Sequence, residues 1–296
     1  MPSLPPVVNL QAFEAVARRR SFAAAATELH LTPSAISHQV ARLEAQLGAR
    51  LLERSAHGVR LTAAGERYLE RVAGALLAIG TATEDVKQGV SNSLYVHSSP
   101  SFATLWLMPR LPSFAKANPQ IALNLSAAPT HSNFATGPSE IDIRYGHPVW
   151  SDLVVEPLFE ERLVPMASPA FIRAHRLRHV EQLADVPLIQ SNVNVMQWTD
   201  WFAAHANHHA PERFALRFDR AQMSIEAAIL GLGVALESAT LAGRHLRGGR
   251  VREVFGPEQC LRIRAHFAVY PARHAVRQPV EAFLSWLHAE AAKPTD

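Results

Sequence analysis

The sequence predicts a multidomain chain: an all-α helix-turn-helix unit with a short two-stranded wing, a long linking helix, and an α/β domain. Three observations predict it. A short alanine-rich helix leads through a tight turn into a second helix with a small polar face. Apolar residues then recur in heptads from Leu69 to Val90, and beyond Ser91 strand-like and helix-like stretches alternate.

Composition sets the frame. The chain has 296 residues, too many for one small domain and enough for two or three compact ones. Hydrophobic residues make up 48% and charged residues 19%, the balance of a soluble globular protein with sizeable cores. The net charge is only +3, so where the charge lies matters more than its total. The single cysteine, Cys260, excludes an intramolecular disulfide and fits a reducing cytoplasm. Met1 to Leu10 lacks a basic stretch followed by a long apolar run, so no signal peptide is expected. No apolar run reaches the roughly 18 residues that a membrane helix requires.

The first helix spans Asn9 to Arg19, with Leu10, Phe13, Val16 and Ala17 at helical spacing and Arg18, Arg19 and Arg20 at its end. Ser21 caps the second, which carries Ala23 to Ala26 and can approach a neighbour closely. Thr32 and Pro33 open the third, and Gly48 stops it. Its stripe of Ile36, Val40, Leu43 and Leu47 faces inward, leaving Ser34, Ser37, His38, Ala41 and Arg42 on the other side. That face has the size and hydrogen-bonding chemistry to enter a major groove. Leu51, Leu52, Val59 and Leu61 flank a turn at Ser55-Ala56-His57-Gly58, which reads as a wing bearing Arg54, His57 and Arg60. Up to Thr62 there are seven Arg and four Glu with no Lys or Asp, so the excess of three positive charges sits here. The pattern alone also fits a generic three-helix packing unit with solvated arginines.

Thr62 caps a fourth helix from Ala63 to about Gly89. Leu69, Val72, Leu76, Ile79, Thr83, Val86 and Val90 form a coiled-coil seam on it. The seam fits a partner chain, or packing on the chain's own core. Ser91-Asn92-Ser93 marks a linker. Strands follow at Leu94–His97, Ile121–Leu125, Ile141–Tyr145, Val154–Phe159, Leu163–Ala167, Leu188–Gln190, Val234–Glu237 and His266–Tyr270. Helices fall between them, among them Leu105–Asn118, Trp198–His205, Ser224–Leu230 and Pro279–Ala291. The alternation predicts an α/β domain with largely parallel sheets.

Residues 9 to 66 closely resemble the DNA-binding domain of LysR-type transcriptional regulators, through LQAFEAVARRRSFAAAATELHLTPSAISHQVARLEAQLG and ARLLERSAHGVRLTAAGERYL. The stretches VHSSPSFATLWLMPRLPSF, IDIRYG and EAAILGLGVALES resemble the effector-binding domain of the same family, closest to the branch of the glycine-cleavage activator and the β-lactamase regulators. The resemblance implies a winged helix-turn-helix at 1–62 and a linker helix at 63–91 that pairs subunits through Leu69, Val72, Leu76, Ile79 and Val86. It implies a periplasmic-binding-protein-like domain at 92–296 made of two Rossmann-like subdomains, I (about 92–162 and 267–296) and II (about 163–266). The chain would cross between them near Arg162-Leu163 and His266-Phe267. Ser34, Ser37, His38, Gln39 and Arg42 would then lie on the recognition helix, with Arg54 in the wing. Family members often carry a second wing arginine where this chain has His57, which titrates near neutrality.

Ligands of such sheets bind beyond the carboxyl ends of strands. Ser98, Ser99, Pro100 and Ser101 stand at such a point, where hydroxyls and free N–H groups can hold a carboxylate or phosphate. Arg144 and Tyr145, Ser191 and Asn192, and Met223 and Ser224 stand at comparable ends. Taken singly, each also fits helix capping or loop solvation. The expectation is a homodimeric or homotetrameric cytoplasmic regulator that binds double-stranded promoter DNA and a small anionic effector, with RNA polymerase a further candidate partner. No enzyme, cofactor or metal site is expected. Gly231-Leu232-Gly233 lacks a third fingerprint glycine, and no Gly-x-Ser-x-Gly elbow or Walker loop is present. His205, His208 and His209 read as a solvated helix end rather than a metal site. The rival reading is a solute-binding or enzymatic α/β domain whose N-terminal helices serve only for association.

Overall fold

The computed structural model describes residues 4–55, 58–87, 92–206, 210–211 and 214–293. They form two compact units. The first holds the residues up to Lys87 with Asn133–Pro138, the second Asn92–Ser132 and Ser139 onward.

In the first unit α1 (Val7–Arg19), α2 (Phe22–Glu28) and α3 (Pro33–Leu47) precede β1 (Leu52–Ser55), β2 (Gly58–Leu61) and α4 (Ala63–Lys87). Hydroxyl caps set the helix starts. Ser21 Oγ accepts from Ala24 N at 3.3 Å, Thr32 Oγ1 from Ala35 N at 3.2 Å and Thr62 Oγ1 from Gly65 N at 3.0 Å. Each satisfies a first-turn N–H that has no partner within its helix. Gly48 ends α3 in the left-handed region, at φ +65°. Phe13, Val16, Ala25, Ala26, Ile36, Val40, Leu43, Leu51 and Val59 pack into one core. The Glu44 carboxylate accepts from Leu51 N at 2.7 Å and Leu52 N at 3.0 Å, which fastens α3 to the strand pair. β1 and β2 are antiparallel, with Glu53 opposite Arg60. Ala56 and His57, expected in the turn between them, lie outside the described residues, as does Val90 of the seam.

The second unit opens with β3 (Ser93–Ser98), α5 (Pro100–Phe102) running on as a π-helical turn (Ala103–Leu107), α6 (Leu111–Ala117), β4 (Ala122–Ala127), β5 (Ile141–Tyr145) and β6 (Val154–Pro157). It continues through β7 (Glu161–Ala167), α7 (Pro169–His175), β8 (Leu188–Ser191), α8 (Trp198–His205), β9 (Leu216–Phe218), α9 (Ala221–Ile229), β10 (Val234–Ser238), α10 (Ala239–Arg247), β11 (Arg252–Glu253) and β12 (Leu261–Ile263). β13 (His266–Tyr270) and α11 (Gln278–Ala291) close it. One sheet has five strands in the order β4-β3-β5-β13-β6; the other has six, β11-β7-β10-β8-β9 with β12 also on β7.

Three expectations are corrected. The sheets are mixed rather than largely parallel. β3 runs parallel to β4 and β5, and β8 to β9 and β10. β13 opposes β5 and β6, and β7 opposes β10, β11 and β12. β7 and β13 each arrive from the other sheet by a short connection without a helix, so they run back against their neighbours. Those passages occupy 158–160 and 264–265, just before the expected Arg162-Leu163 and His266-Phe267, which fall inside β7 and β13. Apolar patterning marks a strand but not the sheet it joins. The helix expected over Leu105–Asn118 starts earlier, at Pro100, passes through the π turn and breaks before Leu111. Pro109 and Pro112 cannot donate to the ladder, which accounts for the break.

Leu94, Phe102, Trp106, Ile143 and Phe283 belong to one core of this unit, and Leu188, Trp198, Trp201 and Phe202 to another. Among the described residues no helix is long and apolar enough to cross a membrane.

Candidate functional site

The outer face of α3 is set by its inner one. Ile36, Val40 and Leu43 are buried. At 3.6 residues per turn this leaves Ser34, His38, Ala41 and Arg42 outside, and all four are exposed. Ser37 and Gln39 are half-buried, and Gln39 Oε1 is buried with no hydrogen-bond partner among the described residues. Gln39 therefore stands at the margin of the face. Arg54 lies on β1 opposite Val59, and Arg50 and Arg60 are exposed near and on the wing. The arginines that end α1 are differently placed. Arg18 Nε lies 2.8 Å from Glu14 and Arg19 Nε 2.6 Å from Glu28. The Arg18 and Arg19 hydrogen bonds hold the Glu28 carboxyl well below the usual carboxylate range. Arg42 on α3 and Arg60 on the wing are exposed, as are Arg20 after α1 and Arg67 and Arg71 on α4.

On α4 the expected seam divides. Leu69 packs against the core of its own unit and Val72 is buried. Leu76 is half-buried and Ile79 is 52% exposed. Thr83 donates to the Ile79 carbonyl at 2.8 Å, which satisfies the one polar residue in the stripe. The side chain of Val86 lies outside the described residues.

The second unit contains a cavity of about 240 Å³ at the carboxyl ends of β3 and β5, lined from both sheets. Ser99, Pro100 and Ser101 line it from one side. Ser98 is fully buried, and its hydroxyl donates to the Ser99 carbonyl at 3.2 Å. Ser101 Oγ accepts from Gln222 N of α9 at 3.2 Å. Tyr145 lies on the wall, and its hydroxyl accepts from Val195 N at 3.2 Å. Burial and the neighbouring Glu161 push the Tyr145 phenol well above its ordinary pKa. These last two bonds join the halves that carry the two sheets.

Arg144 is 5% exposed, with Nε 2.9 Å from Asp142. It also donates to the Ser132 carbonyl at 3.1 Å and lies 5.2 Å from the centre of the Trp150 ring. Its charge is balanced inside the protein, so it contributes little net positive potential to the cavity. Beside it, burial and the repulsion of Arg144 hold the His131 pKa below the ordinary value.

The floor is acidic. Glu161 on β7 and Glu237 on β10 are each 1% exposed, and both line the cavity. Glu161 Oε1 meets His266 Nδ1 at 3.0 Å, and Asn194 Nδ2 donates to Glu237 Oε2 at 3.3 Å. Burial pushes the Glu237 carboxyl up to about 8, with Glu161 adding to the rise and Asn194, Ser191 and Ser224 opposing it.

Of the residues expected here, Ser99, Pro100, Ser101, Arg144 and Tyr145 line the cavity, while Ser98, Ser191 and Ser224 are buried behind it. Asn192 and Met223 do not line it and are exposed. Past β8 the chain brings Asn194 into the wall instead, and at α9 Arg220 and Ala221 face it. Sequence reading missed Asp142, Glu161, Glu237 and His266. Their signal was a charged or polar residue inside an otherwise apolar strand, as in IDIRY, ERLVPMA, VALES and HFAVY. His205 bonds the Cys260 carbonyl at 3.2 Å, and His208 and His209 lie outside the described residues.

Comparison with known proteins places both units. Residues 8–66 match the family described as bacterial regulatory helix-turn-helix protein, lysR family, and residues 87–292 match the LysR substrate binding domain. The HTH-type transcriptional regulator PerR of Escherichia coli (strain K12) is 39% identical over 283 residues, covering 95% of this chain and 94% of that protein. The glycine cleavage system transcriptional activator of the same organism is 31% identical over 291 residues, covering 98% and 95%. The effector domain of the transcriptional regulator AmpR of Pseudomonas aeruginosa superposes with a TM-score of 0.60 at 28% identity, covering 68% of this chain and 96% of that one.

Proposed function

The chain belongs to the LysR family, as a DNA-binding transcriptional regulator with an effector-binding domain, and from that premise we propose how its parts divide the work. Residues 1–62 read promoter DNA. Ser34, Ser37, His38 and Arg42 enter the major groove, Gln39 supports them at the margin, and Arg54 meets the backbone from the wing. Residues 63–91 pair subunits into a homodimer, or a tetramer built from such pairs. Leu76 and Ile79 form the open part of the seam, flanked by Leu69, Val72 and Val86. Residues 92–296 take a small effector with an anionic group at Ser99 and Ser101. The protein works in the cytoplasm by binding rather than catalysis, and RNA polymerase is the partner that its bound state influences.

The observation that carries this reading is the exposed polar face of α3, with Arg42 on it and a core-facing stripe opposite. Two such faces, related by a paired α4, suit a two-fold DNA site. The test is footprinting on the promoter region of the protein's own gene. Protection of two half-sites in neighbouring major grooves is expected, and no protection even at low salt overturns the proposal.

A further inference from the structure

One short stretch between β4 and β5 serves both units. The chain lines the cavity with Ala128, Pro129, Thr130 and His131, gives Asn133–Pro138 to the first unit, and returns to the second at Ser139. Both ends of the loan are fixed in the second unit. Ser132 N donates to Asp142 Oδ2 at 2.8 Å, and the Ser132 carbonyl accepts from Arg144 at 3.1 Å. On the far side Glu140 N donates to the Tyr95 carbonyl at 2.8 Å. The middle is folded on itself. The Asn133 carbonyl accepts from Thr136 N at 3.2 Å and Gly137 N at 2.7 Å, and Asn133 Oδ1 accepts from Ala135 N at 2.9 Å. A short bonded turn held at both ends passes a displacement on rather than absorbing it. Its seat is on α4. Gly74 stands inside that helix, where glycine costs stability relative to alanine. The reason is space: a methyl at Gly74 would overlap the Thr136 carbonyl. Gly80, on the same helix, has nothing within 4 Å of the corresponding point.

We propose that residues 128–138 are a strap through which occupancy of the cavity reaches the linker helix, with Ser132 held by Asp142 and Arg144 at one end and Thr136 seated on Gly74 at the other. The inference rests on reading the first unit as the DNA reader and the cavity as the effector site. A ligand moves a distant equilibrium only through contacts that differ between two states. Here the two states are the strap seated on Gly74 and the strap lifted from it. A group that enters beside Thr130 and His131, or that competes for the Asp142 and Arg144 hydrogen bonds, shifts Ser132. The bonded turn carries that shift to Thr136, and α4 gains or loses its support at Gly74. Under the same reading α4 is the helix that pairs subunits, so its support sets how two reading helices are presented.

The experiment is amide hydrogen exchange on the full-length protein, read peptide by peptide, in samples whose circular dichroism confirms folding. Asp142→Asn, made in the cavity, is expected to speed exchange around Gly74 by about fivefold or more. Gly74→Ala should speed exchange at 129–132 by a similar factor, because coupling is reciprocal. Gly80→Ala adds the same methyl to the same helix and should do neither. Two glycines inserted after Ser132 slacken the strap while keeping the contacts at each end, and should cancel the effect of Asp142→Asn on α4. Should Gly74→Ala fail to fold, the Asp142→Asn and insertion samples decide. Unchanged exchange around Gly74 in folded Asp142→Asn, an equal change at 129–132 in Gly80→Ala, or an effect of Asp142→Asn that survives the insertion overturns the inference. Promoter binding by the wild-type protein separates it from the broader reading. Protein that binds promoter DNA but shows no such exchange pattern loses only the strap, and protein that shows the pattern but binds no DNA loses the regulator.

Discussion

At the residue scale, charge and its neutralisation decide which side chains face outward partners. Arg18 and Arg19 are bound to acids of their own unit, whereas Arg42 stands exposed on α3. Arg42→Ala is expected to weaken promoter binding and to lower the slope of log affinity against log salt by about one, as one phosphate contact is lost. Fluorescence anisotropy across a salt series measures both. Glu237 gives a pH signature. Its carboxyl is raised from 4.5 to about 8, so between those values the folded state holds a proton that the unfolded state lacks. Its contribution to stability is therefore fully present below about 4.5 and is lost as pH rises through 8. Melting temperatures from pH 5 to pH 9 should fall, and Glu237→Gln should flatten that fall. The exposed polar face of α3 was legible in the sequence because helical spacing separates Ser34, His38 and Arg42 from Ile36 and Val40. The acidic floor was not legible. The one signal of Glu161 and Glu237 was an acid inside a strand of otherwise apolar character, and that pattern does not tell a buried acid from one facing water.

At the element scale, caps and close approaches fix where helices begin. A methyl at Gly65 would overlap the Leu51 carbonyl, because the first turn of α4 lies directly against the end of the segment leaving α3. Gly65→Ala is expected to lower the stability of the first unit by roughly 1–3 kcal/mol, measurable by thermal or urea denaturation. The seam on α4 divides in the same way. Leu69 serves the local core, so the exposed Ile79 is where a charge acts on association alone. Ile79→Glu should shift sedimentation velocity toward monomer while leaving the circular dichroism of the unit intact. Thr32, Pro33 and Gly48 announced α3 in the sequence because capping is local chemistry. The break between the π turn and α6 was hidden by an apolar run that continues across Pro109, and the two prolines carried the missing signal.

At the scale of the whole molecule, the chain forms two compact units, and the helix-turn-helix and substrate-binding family matches cover residues 8–66 and 87–292. Removal of residues 1–90 is expected to abolish promoter binding and to leave effector binding in place, since no residue lining the cavity precedes His97. Calorimetry on the truncated chain, once circular dichroism has shown it folded, checks this. The α/β character was legible because strands and helices alternate. The mixed direction of the sheets was not, because β7 and β13 owe their orientation to a passage from one sheet to the other. Distant pairing of that kind leaves no mark on local hydropathy.

The ion pair of Arg144 with Asp142 also bears on the charge of the cavity wall. A metabolite with two carboxylates meets Glu161 and Glu237 on the floor and an arginine already neutralised by its neighbour. Arg220, another arginine of the wall, is likewise paired, with Asp219, so these cations are answered from within the protein.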